Sequence, residues 1–150
     1  MVDIRRFTRA DRKQASTLIC RCLREINSSE YDQNQIDRLC DAFSPENVER
    51  RFSERLSYVA VDAGKIIGTA TLKGSELGSV FVNPEQHGQG IGKLLTYHVE
   101  AIARNSGIKR LTAFSSLAAI DFYRYLGYKS LGERCEPDGE VTIEIEKELK

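Results

Sequence analysis

The sequence is poor in cysteine and histidine, two of the side chains that bind metal ions most often. Four cysteines and two histidines occur among the 150 residues. Cys20, Cys22, Cys40 and Cys135 form no C-x-x-C pair, and no histidine lies near any of them at the spacing of a metal site. We therefore expect four free thiols in a reducing cytoplasm and no metal ion.

A long apolar run and an excess of one charge are also missing. No segment approaches the roughly 20 apolar residues of a membrane-spanning helix. No apolar stretch follows the charges of Arg5 and Arg6, as a secretory signal would require. Lysine plus arginine and aspartate plus glutamate each total 22, so the formal net charge is zero. These features predict a cytoplasmic protein whose partners include neither a membrane nor a nucleic acid.

What is present is the composition of an ordinary globular domain. Hydrophobic residues make up 41% of the chain and charged residues 29%. The length suits one domain, and no repeat, low-complexity segment or linker divides the sequence. We therefore expect residues 1–150 to form a single domain.

Hydrophobic periodicity and turn residues predict the order of the elements. The predicted helices lie at residues 10–26 (capped by Thr8, with a break at 27–29), 32–56 (interrupted at Ser44-Pro45), 90–105 and 118–126. The predicted strands lie at residues 2–7, 58–61, 66–72, 76–82, 110–114, 128–131 and 141–145. The β–α–β unit at 76–114 should be parallel and right-handed, and the hairpins on either side should be antiparallel. The pattern predicts an α/β or α+β sandwich with a mixed sheet.

The most informative segment is a turn with alternate glycines at Gly88, Gly90 and Gly92, where a predicted strand gives way to a helix. The first N–H groups of a helix lack internal partners and lie at the positive end of its dipole, so a phosphate can bind there. Lys93 would add a charge at the rim. The spacing fits neither the Rossmann fingerprint G-x-G-x-x-G nor the Walker A loop. Glycines at a helix start can also serve tight packing alone, and that interpretation stays open here.

Two segments together resemble a known family. The turn, preceded by Asn-Pro-Glu, resembles motif A of the GCN5-related N-acetyltransferase (GNAT) superfamily, Gln/Arg-x-x-Gly-x-Gly/Ala, and reads His87-Gly88-Gln89-Gly90-Ile91-Gly92. A second segment resembles the family pattern Asn-x-x-Ala-x-x-Phe-Tyr-x-x-x-Gly-Phe/Tyr, with Ser116, Ala119, Phe122, Tyr123, Gly127 and Tyr128 at the matching places. His87 and Ser116 depart from the commonest residues at their positions. In layout the chain looks most like the small stand-alone bacterial YafP-like acetyltransferases, although its first 55 residues match only loosely.

The resemblance implies a fold and an activity. The implied fold is a mixed, mostly antiparallel sheet of six to seven strands with a central, splayed parallel pair, flanked by about four helices. The implied activity is transfer of an acetyl group from acetyl-CoA to a small-molecule or peptide amine. The alternative is an acyl-CoA-binding sensor or interaction module without turnover.

The resemblance also implies roles for particular residues. The N–H of Val80 would bind the thioester oxygen, Tyr123 would protonate the departing thiolate, and Glu76 would act as general base through water. The implied coenzyme-binding residues are Val80, Phe81, Val82, His87, Gly88, Gln89, Gly90, Ile91, Gly92, Lys93, Ser116, Ala119, Phe122 and Tyr123. Glu76 shares strand parity with Val80 and Val82, so we expect these side chains to face the same side. Tyr123 could instead be a packed aromatic, and Glu76 a solvated carboxylate.

Two further expectations concern partners. Acceptor specificity in the family resides in the first two helices and their loop, here about residues 20–44, where Glu30, Asp32 and Asp37 would suit a cationic amine. Edge strands near the C-terminus make a homodimer reasonable.

Overall fold

The computed structural model describes residues 1–25, 31–137 and 139–150. Its strands are β1 (Val2–Arg6), β2 (Leu56–Asp62), β3 (Lys65–Lys73), β4 (Glu76–Val82), β5 (Arg110–Ser116), β6 (Lys129–Cys135) and β7 (Val141–Glu148). Its α-helices are α1 (Arg12–Glu25), α2 (Gln33–Ala42), α3 (Pro45–Ser53), α4 (Ile91–Asn105) and α5 (Ile120–Tyr125). Every predicted strand is present, and five helices are described where about four were expected. The predicted break at 27–29 and the helix end at Ile26 lie outside the described residues.

The seven strands form one sheet in the order β1-β2-β3-β4-β5-β7-β6. All neighbours are antiparallel except β4 and β5, which are parallel and share a single residue pair, Glu76 with Thr112. Beyond that pair the two strands diverge toward their carboxyl ends. The mixed sheet with a central splayed pair is therefore confirmed.

Local side-chain hydrogen bonds explain where the N-terminal helices begin. The side chain of Asp32 accepts from the N–H of Gln35 at 2.8 Å and caps α2. Ser44 accepts from the N–H of Asn47 at 3.3 Å and precedes a proline in the first turn of α3. This cap and proline account for the predicted interruption between α2 and α3.

Two hydrophobic cores lie on opposite faces of the sheet. One lies under α4 and α5 and includes Leu77, Leu95, Val99, Leu111 and Ile145. The other lies under the three N-terminal helices and includes Ile19, Phe43, Val48, Phe52 and Val59. The N-terminal helices pack on β2, β3 and β4. Among the described residues, no helix is both long enough and apolar enough to cross a membrane.

Strand β4 contains a bulge just where β4 and β5 separate. The register of β3 against β4 shifts between Thr69 and Thr71, so Ser79 and Val80 together lie opposite one residue of β3. Ser79 has a φ of 48°, in the left-handed region. Its carbonyl accepts a hydrogen bond from Oγ1 of Thr69 at 2.7 Å. This bond holds a conformation that a non-glycine residue adopts only at a cost.

The bulge reverses the alternation of side chains along β4. Leu77, Val80 and Val82 all contact the core under α4, whereas Phe81 contacts the core under the N-terminal helices. In an uninterrupted strand Leu77 and Val80 would point to opposite faces. Glu76 therefore lies on the face of Phe81, and our expectation that it shares a face with Val80 and Val82 is wrong.

Candidate functional site

A cavity of about 460 Å³ occupies the splay between β4 and β5, closed on one side by the start of α4 and by α5. All of the predicted coenzyme-binding residues except Gln89 line it: Val80, Phe81, Val82, His87, Gly88, Gly90, Ile91, Gly92, Lys93, Ser116, Ala119, Phe122 and Tyr123. Gln89 is exposed in the same turn. The two sequence motifs, about thirty residues apart, thus meet in one cleft.

The glycine turn gives the cavity its polar end. Gly88 and Gly90 have φ values of 82° and 79°, a region that only glycine adopts readily. Gly90 is the N-cap of α4, and a β-carbon at either glycine would meet no atom within 4 Å. The first N–H groups of α4 therefore open onto the cavity without side-chain cover, as an anion such as pyrophosphate requires.

Gly92 has a different role in the same turn. A β-carbon there would come within 3.0 Å of the Phe122 ring and 3.4 Å of Val82 Cγ2. The absence of a side chain at Gly92 therefore lets α4, α5 and β4 approach closely. Both interpretations of the glycines, phosphate binding and tight packing, fit the structure at different positions.

The carbonyl of Val82 accepts two side-chain hydrogen bonds at the edge of the cavity. Nε2 of His87 lies 2.9 Å from this oxygen. Because a carbonyl can only accept, the neutral ring carries its proton on Nε2. Sγ of Cys22, on α1, donates to the same oxygen at 3.1 Å. Burial raises the pKa of the Cys22 thiol to about 12, so it stays neutral.

Tyr123 lies in the cavity wall, on α5, and is 7% exposed. Its ring packs edge-on against Phe122 at 5.1 Å and Tyr128 at 5.6 Å between centroids. Burial raises the pKa of its phenol above the ordinary value of 10, because the anion would lose its water. Tyr123 therefore keeps its proton at any physiological pH.

Some predicted residues lie elsewhere. Glu76 does not line the cavity; its side chain is 42% exposed, and a carboxylate oxygen lies 4.0 Å from Nη1 of Arg55. Asp32 serves as the cap of α2. Asp37 accepts from Arg24 at 3.4 Å and from Gln33 at 2.9 Å. These two carboxylates are engaged within the protein, which weakens the expectation that they attract a cationic acceptor. Glu30 lies outside the described residues.

Five lining residues escaped the sequence reasoning: Cys22, Gln86, Ala118, Tyr125 and Leu126. Four of them adjoin the two motifs and could have been found by proximity. Cys22 is sixty positions away from Val82, and no pattern signals that contact.

In the part of the chain that the structure describes, Oε1 of Gln86 is buried without a hydrogen-bond partner, so a ligand amide or hydroxyl could donate to it. No group of three described His, Cys, Asp or Glu side chains lies close enough together to hold a metal ion.

The chain is similar to known acetyltransferases. The family profile "Acetyltransferase (GNAT) domain" matches residues 27–149. A peptidyl-lysine N-acetyltransferase, YjaB of Salmonella typhimurium, is 34% identical over 82 residues, which cover 54% of each chain. This chain spans about half the length of the curated relatives that it matches.

Solved structures share the fold over nearly the full length. A GCN5-related N-acetyltransferase from Rhodopseudomonas palustris superposes with a TM-score of 0.92 at 22% identity and covers 98% of this chain and 95% of that one. The PaiA N-acetyltransferase of Thermoplasma acidophilum, crystallised with coenzyme A, has a TM-score of 0.80 at 19% identity, with 99% of both chains covered.

Proposed function

We propose, from the premise that this chain belongs to the acetyltransferase (GNAT) domain family, that it transfers an acetyl group from acetyl-CoA to a primary amine. The observation that carries the proposal is the cleft itself. It brings the uncovered N-terminus of α4 and the buried, protonated Tyr123 into the lining of one cavity between splayed strands. This arrangement suits a ligand that carries both a pyrophosphate and a thiol that leaves as thiolate.

In the proposed reaction the amine attacks the thioester directly. The nitrogen lone pair forms a C–N bond with the carbonyl carbon, and the C–S bond breaks with its electron pair on sulfur. The Tyr123 hydroxyl gives its proton to that sulfur, and the amine gives one to water or to Glu76. Because burial raises the pKa of the phenol, Tyr123 holds its proton until negative charge develops on the sulfur.

The bulge supports a role for the Val80 N–H as the donor to the thioester oxygen. Ser79 and Val80 break the register with β3, and backbone donors released by a bulge can turn toward a ligand. A fixed N–H aimed at the developing negative charge stabilises a transition state without reorganisation. The backbone of Val82 would form hydrogen bonds with the pantetheine amides. The ring of His87 would then have to share the Val82 carbonyl with the coenzyme or give up its own hydrogen bond to it.

The general base in the proposed reaction is Glu76. Glu76 lies outside the cavity lining and on the opposite face of β4 from Val80. It would therefore act on an acceptor that approaches over that face, through a water molecule. Substitution of Glu76 by Gln should shift the pH dependence of the rate, and an unaltered profile would point to another base.

The proposal extends to three properties of the whole protein. We treat residues 1–150 as one N-acetyltransferase domain that works in the cytoplasm. A homodimer through β6 is supported by the position of this strand at the sheet edge, with all seven residues exposed.

The test is calorimetric titration of the purified protein with acetyl-CoA, with NADH and ATP as matched ligands that share the adenine and phosphate groups. We expect saturable binding of acetyl-CoA alone, followed by thiol release when a panel of amines is added. Absence of acetyl-CoA binding would overturn the proposal. Binding without turnover on any amine would favour the second candidate, an acyl-CoA sensor.

A further inference from the structure

An exposed aromatic ring lies at the rim of the cavity. Tyr125, the last residue of α5, lines the cavity and is nevertheless 78% exposed. That exposure leaves at least one face of the ring open to a ligand. Nucleobases have flat faces that stack on such rings, so the cavity offers a stacking surface where it meets the solvent.

An unpaired cation accompanies this ring. Lys93 also lines the cavity, and its Nζ lies 5.8 Å from the centroid of the Tyr125 ring and 5.7 Å from that of Tyr97. Lys147 lies 5.4 Å from the Tyr97 centroid but is bound to Glu100 at 3.0 Å. The ion pairs of the described residues include none to Lys93. Its charge is therefore available to an anion.

The ring and the cation lie beside the expected position of the pyrophosphate. Lys93 follows Gly92 directly and is the third residue of α4, whose first N–H groups open onto the cavity. Tyr123 and Tyr125, two residues apart on α5, point to different sides of that helix and are 7% and 78% exposed. A coenzyme whose thioester lies at Tyr123 would therefore leave its outer end near Tyr125 and Lys93.

The outer end of coenzyme A has the chemistry that these two side chains suit. Beyond its pyrophosphate the coenzyme carries an adenosine with a phosphate on the 3′-hydroxyl. That end combines a flat base with a doubly charged anion. ATP and NADH also contain adenine, but neither has a 3′-phosphate. An aromatic ring beside an unpaired ammonium therefore matches coenzyme A better than it matches the other two nucleotides.

We propose that Tyr125 and Lys93 form the binding site for the 3′-phosphoadenosine end of the coenzyme. Adenine stacks on the open face of the Tyr125 ring, and Nζ of Lys93 binds the 3′-phosphate. The inference rests on the proposed use of acetyl-CoA and names the two residues that select it from other adenine nucleotides.

The experiment measures by calorimetry the Kd values of acetyl-CoA and acetyl-dephospho-CoA, two ligands that differ only in the 3′-phosphate. We expect the protein to prefer acetyl-CoA about tenfold, because the second ligand lacks the partner of a charge-assisted contact. Lys93→Gln should weaken the binding of acetyl-CoA about tenfold and leave that of acetyl-dephospho-CoA nearly unchanged. Equal weakening of both would show that the ammonium serves the pyrophosphate instead, and would overturn the inference.

Variants of Tyr125 test the stacking. Tyr125→Leu keeps an apolar side chain but removes the flat ring, and should weaken both ligands by the same factor of about five or more. Tyr125→Phe retains the ring and should bind both ligands like the unmodified protein. The side chain is exposed, so neither substitution should change the stability of the fold appreciably. Undiminished binding in Tyr125→Leu would overturn the role of the ring.

Arg124→Gln is the matched control for charge. Arg124 precedes Tyr125 on α5, lies 3.6 Å from Asp121 as an ion pair and does not line the cavity. Its substitution removes one positive charge next to the proposed site and should leave the preference for the 3′-phosphate intact. If Arg124→Gln and Lys93→Gln reduced the preference equally, the cause would be the general surface charge, and the assignment to Lys93 would be wrong.

A second probe separates failure of this subsite from failure of the proposed function. Adenosine 3′,5′-bisphosphate and adenosine 5′-monophosphate differ by the same phosphate and carry no thioester. NMR of the backbone amides of Lys93 and Tyr125 should show saturable shifts with the bisphosphate that Lys93→Gln abolishes, even without any acetyl transfer. Equal shifts from the two nucleotides, or none, would overturn the subsite, whether or not acetyl-CoA binds.

Discussion

At the scale of single residues, Tyr123 carries the most specific prediction. Its phenol is held in the cavity wall between Phe122 and Tyr128 and keeps its proton because burial raises its pKa. Tyr123→Phe preserves that packing and removes only the hydroxyl. We expect kcat to fall at least about tenfold with little change in the affinity for acetyl-CoA. Steady-state kinetics and calorimetry measure the two quantities, and an unchanged kcat would exclude this residue as the acid.

The cysteines differ sharply in their expected reactivity. Burial raises the pKa of Cys20 and of Cys22 to about 12, so at pH 8 only about one molecule in ten thousand carries either thiolate. Cys40 is buried, whereas Cys135 is exposed. We therefore expect iodoacetamide to modify one thiol per native chain quickly at pH 8, as intact-mass spectrometry would show. Cys135→Ser should abolish the fast phase, and a fast phase that persists would contradict the assignment.

At the scale of elements, the sequence predicts positions better than it predicts faces. The bounds of β4 agree with the prediction to the residue, since strand residues and turn signals are local. The predicted orientation of the Glu76 side chain was wrong, because the bulge at Ser79 depends on a hydrogen bond from Thr69 on the neighbouring strand. Strict alternation is the only assumption available without that partner.

The residues of the candidate site also fall into those that a local sequence pattern predicts and those that only tertiary packing brings together. The glycine turn and the Ala119–Tyr123 segment carry their own signatures, so nearly all of their residues could be placed in the cleft from sequence. Cys22 reaches the cavity only through the packing of α1 against the sheet. No spacing in the chain joins it to the two motifs, and sequence reasoning missed it.

A buried ion pair joins α4 to β7. Glu100, 1% exposed, accepts from Lys147 at 3.0 and 3.1 Å and from the Tyr128 hydroxyl at 2.8 Å. Arg104, one turn along α4, forms a longer ion pair of 3.8 Å with the same carboxylate and is 41% exposed. The contact explains why a charged residue can occupy the apolar face of α4, which periodicity alone would not predict.

Removal of the lysine should leave a buried carboxylate poorly compensated. We expect Lys147→Met to lower the free energy of unfolding by about 3 kcal/mol, as urea denaturation would measure. Lys73→Met is the matched control at an exposed strand end and should change stability by less than about 0.5 kcal/mol. Equal effects of the two substitutions would show that Glu100 is compensated without Lys147.

At the scale of the whole molecule, the sheet consists of two parts joined weakly. Strands β1–β4 pair continuously on one side, and β5, β7 and β6 pair continuously on the other, whereas β4 and β5 share only Glu76 with Thr112. The α4 and α5 core adds side-chain contacts across the same junction. A coenzyme whose pantetheine pairs with β4 while its thioester end contacts α5 would bridge the two parts.

Acetyl-CoA should therefore stabilise the whole fold. At one hundred times its Kd, a ligand of the native state adds about 2.7 kcal/mol, which for a chain of this size corresponds to a rise in Tm of about 5–10 °C. ATP shares the adenine and phosphate groups but lacks the pantetheine arm, so we expect no measurable rise with ATP at the same concentration. Scanning calorimetry makes the comparison. Equal shifts would mean that binding is confined to the glycine turn, and the splayed strands would then lose their assigned part in the reaction.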